Sequence, residues 1–411
     1  MSERETPVRT RTGAERLSAD PTLAGPGRRL GLVTNYTGVM PDLSSDAAAL
    51  LAAGVPLVAL FGPEHGLRGT AQAGDSEPDT HDPVSGLPLH DTYRSSGRGL
   101  DAVVAAAEVD TLLFDLQDIG TRFYTYVWTM YDLLATSARL GVRFVVLDRP
   151  NPVSGLAAEG PLLDRAYGSF VGRAPIPVRH GLTAGELARH LNATAIPTEV
   201  GQPADLSVVT MEGWHRSLHA DETGLPWVMP SVNIPTLDSA LAYPGTGLFE
   251  GTNLSEGRGT TRPFELIGAP YVDGRWAATL NDSALSGVRF REAWFTPTFH
   301  KYAGQPVRGV QLHVTDRTTF APVRTALAML HTLRTLYPCE FGWRTTAAGA
   351  GGTGHRHFID LLWGSGSLRQ SVDAGKDPTP LLALAGSDSP QHPAAWAGEE
   401  VLLYPDTATA G

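Results

Sequence analysis

The 411-residue sequence has almost no cysteine. Cys339 stands alone, so no intrachain disulfide can form, which suits a reducing compartment. It also lacks a basic excess: 43 acidic against 32 basic residues leave a net charge of −11. That balance argues against a nucleic-acid backbone or an anionic membrane as the main partner. No apolar run reaches the roughly 18 residues of a membrane span. No apolar core follows the charged opening MSERETPVRTRTGAERL either, so no secretory signal is expected and a cytoplasmic protein is the reading. Charged residues make up only 18%, too few for a highly charged disordered chain, and 42% hydrophobic residues can build a large core. There is no internal repeat, and about 150 residues per domain suggests two or three domains.

Cofactor signatures are missing too. Gly349-Ala350-Gly351-Gly352-Thr353-Gly354 matches G-x-G-x-x-G as a string but follows no apolar strand, so it predicts no dinucleotide site. There is no P-loop, no G-x-S-x-G elbow and no HExxH. His65, Asp115, Asp118, Asp148 and His180 could gather round a metal only through tertiary folding. No cofactor is expected.

What is present is an alternation. Residues 1–27 are polar, arginine-rich and without periodicity, and read as a mobile arm. Strand-sized apolar runs follow at Leu30–Thr34, Val55–Phe61, Thr111–Leu116, Arg143–Leu147 and Leu206–Thr210, separated by helix-like Ser45–Ala53, Gly99–Ala107, Val127–Leu140 and Thr183–Leu191. Strand–helix–strand repetition implies a parallel α/β sheet covered on both faces, over residues 28–230. Beyond it the pattern changes to β-like Val288–Phe295 and Val307–Val314 and a helix Pro322–Tyr337, with Pro338 just past its end. A smaller α+β domain is expected over 231–411.

Ligands of such sheets bind beyond the carboxyl ends of the strands. The residues there are Asn35, Gly62-Pro63-Glu64-His65-Gly66, the run from Asp115 through Gln117, Asp118, Arg122 and Tyr124, and Asp148-Arg149-Pro150-Asn151. Asp, Asn and Gly also mark ordinary turns and caps. Glu64 stands out: buried after an apolar strand between glycines, it suits general-acid work, its carboxyl being pushed toward the protonated form by desolvation. The bland alternative is a turn cap or a pair with Arg68. His65 beside it is the second catalytic candidate. A second cluster, Glu250, Asn253, Glu256 and Arg258 on a glycine-rich loop at 245–265, suits a polyhydroxylated ligand or else a solvated loop with surface ion pairs.

Long motifs in fixed order extend this reading: Gly31-Leu-Val-Thr-Asn35, Leu60-Phe-Gly-Pro-Glu-His-Gly-Leu-Arg-Gly69, Phe114-Asp-Leu-Gln-Asp-Ile-Gly-Thr-Arg-Phe-Tyr-Thr-Tyr126, Leu147-Asp-Arg-Pro-Asn-Pro152, Glu159-Gly-Pro161, Arg179-His-Gly-Leu-Thr183 and Glu250-Gly-Thr-Asn-Leu-Ser-Glu-Gly-Arg-Gly-Thr-Thr261. With them the sequence resembles the exo-β-N-acetylmuramidases of peptidoglycan recycling, the NamZ or YbbC-like proteins, some of which are exported. The resemblance implies a Rossmann-like domain without a nucleotide, a smaller domain closing a cleft, and removal of terminal N-acetylmuramic acid from the non-reducing end of peptidoglycan fragments. It places the catalytic glutamate at Glu64.

Glycosidic cleavage needs a second group to stabilise an oxocarbenium-like centre. Asp115, Asp118, Glu159, Glu250 and Glu256 are candidates, and the sugar's own acetamido carbonyl is another. The lactyl carboxylate of the substrate calls for an arginine, Arg122 or Arg258. Asn35, Gln117, Tyr124, Asn151, His180 and Asn253 complete the expected binding set. Two rivals stand beside this reading: a non-catalytic sugar-binding protein on the same frame, and a metal-dependent hydrolase using His65 and the aspartates.

Overall fold

A computed structural model describes residues 9–71, 74, 76–93, 95–345, 357–383 and 390–408. Seven strands form the main sheet: β1 (Leu30–Thr34), β2 (Leu57–Gly62), β3 (Thr80–His81), β4 (Pro88–Asp91), β5 (Thr111–Asp115), β6 (Arg143–Leu147) and β7 (Leu206–Val209). Their spatial order is β3-β4-β2-β1-β5-β6-β7, parallel throughout except for β3, which pairs antiparallel with β4. β1 and β5 are buried at every position, as strands covered on both faces must be, and hence read as unbroken apolar runs. The chain leaves β1 toward β2 on one side and later returns to β5 on the other. The carboxyl ends of β1, β2 and β5 therefore border the point where strand order reverses, the place where open α/β sheets leave a crevice.

The covering helices start and stop by local chemistry. Ser45 caps the helix Asp46–Ala52 by accepting from Ala48 N–H. Thr183 and Glu186 form a reciprocal capping box ahead of Ala184–Thr194. Gly141, at φ +70°, ends Tyr126–Leu140 in a left-handed turn that glycine adopts at little cost.

A second sheet of β8 (Leu266–Ala269), β9 (Val288–Phe295) and β10 (Val307–Val314), ordered β8-β10-β9, is antiparallel. Helices Gly274–Asp282 and Pro322–Leu336 accompany it, the latter with Pro322 in its first turn. Helix Leu237–Thr246 meets Pro322–Leu336 closely. A Cβ on Gly245 would lie 2.0 Å from the Pro322 carbonyl oxygen, so only glycine fits that crossing.

Two expectations need correction. Residues 13–24 are no mobile arm: Gly13–Ala19 is a helix with a Thr12/Glu15 capping box, its Ala14 and Leu17 are buried, and Gly13 N–H donates to the Asp148 carbonyl at 2.9 Å. Too few apolar positions repeat in seven residues to give that helix a visible period. The smaller domain also does not keep the whole of 231–411. Gln391 bridges to Ala158, Trp396 donates to the His180 carbonyl at 3.0 Å, and the Tyr404 hydroxyl reaches Asp148 at 2.6 Å, so the last described segment lies on the first sheet.

Candidate active site

Glu64 sits in the turn that follows β2. His65 and Gly66 both take positive φ, +72° and +74°, and a Cβ on Gly66 would also strike Glu77 at 2.4 Å. His65 Nδ1 bonds the Ala71 carbonyl at 2.9 Å and closes this loop. The Glu64 carboxyl is buried, but not among apolar groups. Gly74 N–H donates to Oε1 at 2.7 Å and the Tyr93 hydroxyl donates to the same oxygen at 3.3 Å. The Thr125 hydroxyl donates to Oε2. Thr125 occupies the N-cap of Tyr126–Leu140 yet makes no capping bond, its side chain being committed to Glu64 instead. Arg68 is engaged by Asp82, so the simple Glu64–Arg68 pair is absent.

Glu64 opens into a cavity of about 380 Å³ between the two domains, within the size range of small-molecule sites. The first domain contributes His65, Tyr93, Tyr124, Tyr126 and Phe170, and the second Tyr243, Glu250, Arg258, Phe264, Phe299, His300, Arg344 and Phe358. Among the described residues eight non-glycines have positive φ, and three of them, His65, Phe264 and His300, line this one cavity. Backbone held in sparsely populated conformations gathers at functional sites, and it does so here. Burial pushes the hydroxyls of Tyr124, Tyr126 and Tyr243 well above their ordinary range, which keeps them neutral.

The wall from the second domain is ionic. Arg258 lies 3.1 Å from Glu250 and 3.4 Å from Glu256, with its guanidinium 5.1 Å from the centre of the Phe264 ring. Behind it Glu256 is fully buried, 2.9 Å from Lys301 Nζ and 3.0 Å from His300 Nδ1. Burial alone would raise the Glu256 carboxyl. Lys301, His300 and Arg258 overcome that and hold it down at about 2.

Of the residues expected from sequence, Glu64, His65, Tyr124, Glu250 and Arg258 line the cavity. Asn35 supports it from beneath, donating to the Tyr126 hydroxyl at 2.8 Å while accepting from Thr37. The others lie outside this cavity's lining and have partners within the protein. Asp115 is fully buried against Arg149. Gln117 donates to the carbonyls of Asp118 and Pro150. Asp118 pairs with His180 at 3.1 Å and accepts from Gly120 N–H. Asn151 donates to the Leu182 carbonyl, and Glu159 joins Arg179 and the Val323 N–H at a helix start. Asn253 spans Glu340, Tyr271 and Gly342.

Arg122 is a clear correction. It is completely buried and donates to four carbonyls, of Pro161, Ile176, Leu362 and Trp363, so it ties the domains together and faces no ligand. Burial lowers its guanidinium to about 9. The metal-site rival loses its ligands in the same way. Asp148 is spent on Thr183, Gly185 and Tyr404, and no three His, Cys, Asp or Glu side chains among the described residues converge to hold an ion. The glycine string at 349–354 lies outside the described residues. Sequence reading missed Phe170, Tyr243, His300, Arg344 and Phe358. The positive φ of His300 could not be read from its residue type, and no local motif marks the others.

Comparison with known proteins finds relatives along most of the chain. The family description "exo-beta-N-acetylmuramidase NamZ, N-terminal" matches residues 30–238, and its C-terminal counterpart matches 241–395. The peptidoglycan beta-N-acetylmuramidase NamZ of Bacillus subtilis is 45% identical over 369 residues, 89% of this chain and 85% of that protein. A crystal structure of a DUF1343 family protein from Bacteroides fragilis superposes with a TM-score of 0.79 at 33% identity, covering 91% of this chain and 95% of the other. A second from the same organism gives 0.70 at 26% identity, over 97% and 100%.

Proposed function

The chain belongs to the exo-β-N-acetylmuramidase NamZ family, and from that premise we propose how its cavity hydrolyses the glycosidic bond of a terminal N-acetylmuramic acid. The enzyme is a glycosidase acting on peptidoglycan-derived saccharide. Glu64 is the proton donor to the departing glycosidic oxygen. Its partner at Oε2 is a hydroxyl, which can accept as readily as it donates. Thr125 therefore orients the carboxyl in both protonation states, and the acid can lose and regain its proton without rearrangement. Gly74 and Tyr93 fix the other oxygen.

The second role falls to a group on the opposite domain or to the substrate. Of the sequence candidates only Glu250 reaches the cavity, where it faces the guanidinium of Arg258 at 3.1 Å. A carboxylate there suits a developing oxocarbenium ion. Aromatic walls from Phe170, Phe264, Phe299 and Phe358 suit the apolar faces of a pyranose.

One observation carries this reading: Glu64 is the cavity carboxyl whose hydrogen-bond partners, among the described residues, are all neutral donors. The test is Glu64→Gln on two substrates. With a natural disaccharide, kcat falls at least about 100-fold. With an activated aryl glycoside, whose leaving group needs little protonation, the loss in bond cleavage is much smaller. An equal loss on both substrates gives Glu64 a base or nucleophile role instead, and near wild-type hydrolysis of the disaccharide removes it from the chemistry.

A further inference from the structure

Resting on that reading of the cavity, we propose that Arg344 selects the muramyl sugar by binding the carboxylate of its lactyl ether. N-acetylmuramic acid differs from N-acetylglucosamine by that group alone. A site that prefers it must offer a cation whose charge is not already spent. The other cations at the cavity, among the described residues, are spent. Arg258 faces both Glu250 and Glu256, and His300 faces Glu256. Lys301, just behind, is taken by two carbonyls and Glu256. Arg122 is buried on four carbonyls.

Arg344 differs on each count. It lines the cavity, is exposed, and makes no ion pair with any described residue. Its backbone is fixed on both sides, N–H to the Gly251 carbonyl at 2.8 Å and carbonyl from Phe358 N–H at 3.1 Å. Its guanidinium lies 5.5 Å from the centre of the Phe358 ring. That ring in turn stacks on Phe170 of the first domain, 6.2 Å away with 12° between planes. An arginine held over an aromatic ring, with no carboxylate partner among the described residues, still has its planar fork of donors to offer a carboxylate, the fork that a lysine lacks. Without it, an anionic sugar would meet the carboxyl groups lining the cavity with no free positive charge among the described lining residues.

The experiment is a cycle between protein and substrate. The kcat/KM of wild type, Arg344→Ala and Arg344→Lys is measured on the aryl glycoside of N-acetylmuramic acid and on its lactyl methyl ester. A charge-assisted contact of this kind gives wild type an acid-over-ester preference of about 10- to 100-fold. In Arg344→Ala that ratio collapses toward one, and Arg344→Lys recovers part of it. Retention of the full wild-type ratio in Arg344→Ala overturns the proposal. Calorimetry of N-acetylmuramic acid and its methyl ester on the same proteins applies the same criterion to binding. Lack of turnover by wild type therefore strikes the glycosidase reading alone, while a binding ratio that ignores Arg344 strikes this one alone.

Discussion

Two glutamates, one on each side of the cleft, show how differently a fold can treat the same side chain. Glu64 has neutral neighbours: a backbone N–H, a tyrosine and a threonine. Glu256 has Lys301, His300 and Arg258. Cations stabilise only the ionised form, so Glu256 is locked as an anion and serves as scaffold. A hydroxyl tolerates both forms, so Glu64 is free to trade a proton. Burial is nearly the same for both, at 8% and 0% exposure, and so does not distinguish the reactive carboxyl from the structural one. Partner type does.

The contrast can be broken most severely at Glu256. Glu256→Ala leaves Lys301 and Arg258 facing a buried gap, and loss of one partner in a buried charge cluster is expected to remove about 3–5 kcal/mol of stability. Urea unfolding of the variant measures it. Because the folded carboxyl is held at about 2 against an ordinary 4.5, its stabilisation is complete above pH 4.5 and disappears as pH falls from there toward 2. The stability gap between wild type and Glu256→Gln should therefore narrow across that window. A gap that is constant with pH contradicts the locked anion.

At Glu64 the milder intervention is Thr125→Val, which keeps shape and removes the hydroxyl. A kcat loss of about 10-fold, worth about 1.4 kcal/mol, is expected with little change in Tm, since the hydroxyl caps no helix. A fall in Tm without a kcat effect would make Thr125 structural. The smallest effect lies away from the cleft. Tyr404→Phe removes a bond to Asp148 and an acceptor for Met211 N–H, and about 1–3 kcal/mol of stability should go while kcat/KM stays at the wild-type value.

Legibility in the sequence followed the range of the interactions. Leu30–Thr34, Arg143–Leu147, Val288–Phe295 and Val307–Val314 are strands with the very bounds that their apolar runs suggest, because local pattern and burial coincide there. Short β3 and β4 carry too few residues for a pattern, and Leu237–Thr246 hides behind Pro244 in its own interior. In the site, Glu64 and His65 stood out because strand end, glycines and carboxylate are neighbours in sequence. Arg344 and Phe358 meet Phe170 only across the domain contact, which no local window contains. Arg122 was misread for the converse reason: its charge promised a ligand, whereas its donors are consumed by carbonyls up to 241 residues away.

The return of residues 391–404 to the first sheet has a consequence for how the protein can be cut. Topologically the smaller domain is an insertion: the chain leaves the parallel sheet, builds the antiparallel one, and comes back to close the first. Asp148 and Glu186 take Tyr404 and Leu403 as partners from the far end of the chain. A fragment ending near residue 238, where one family match stops, would strip each of those buried carboxyls of one of its partners. The two halves that are separable as text are thus one unit as a folded object, and heating should melt them in a single transition.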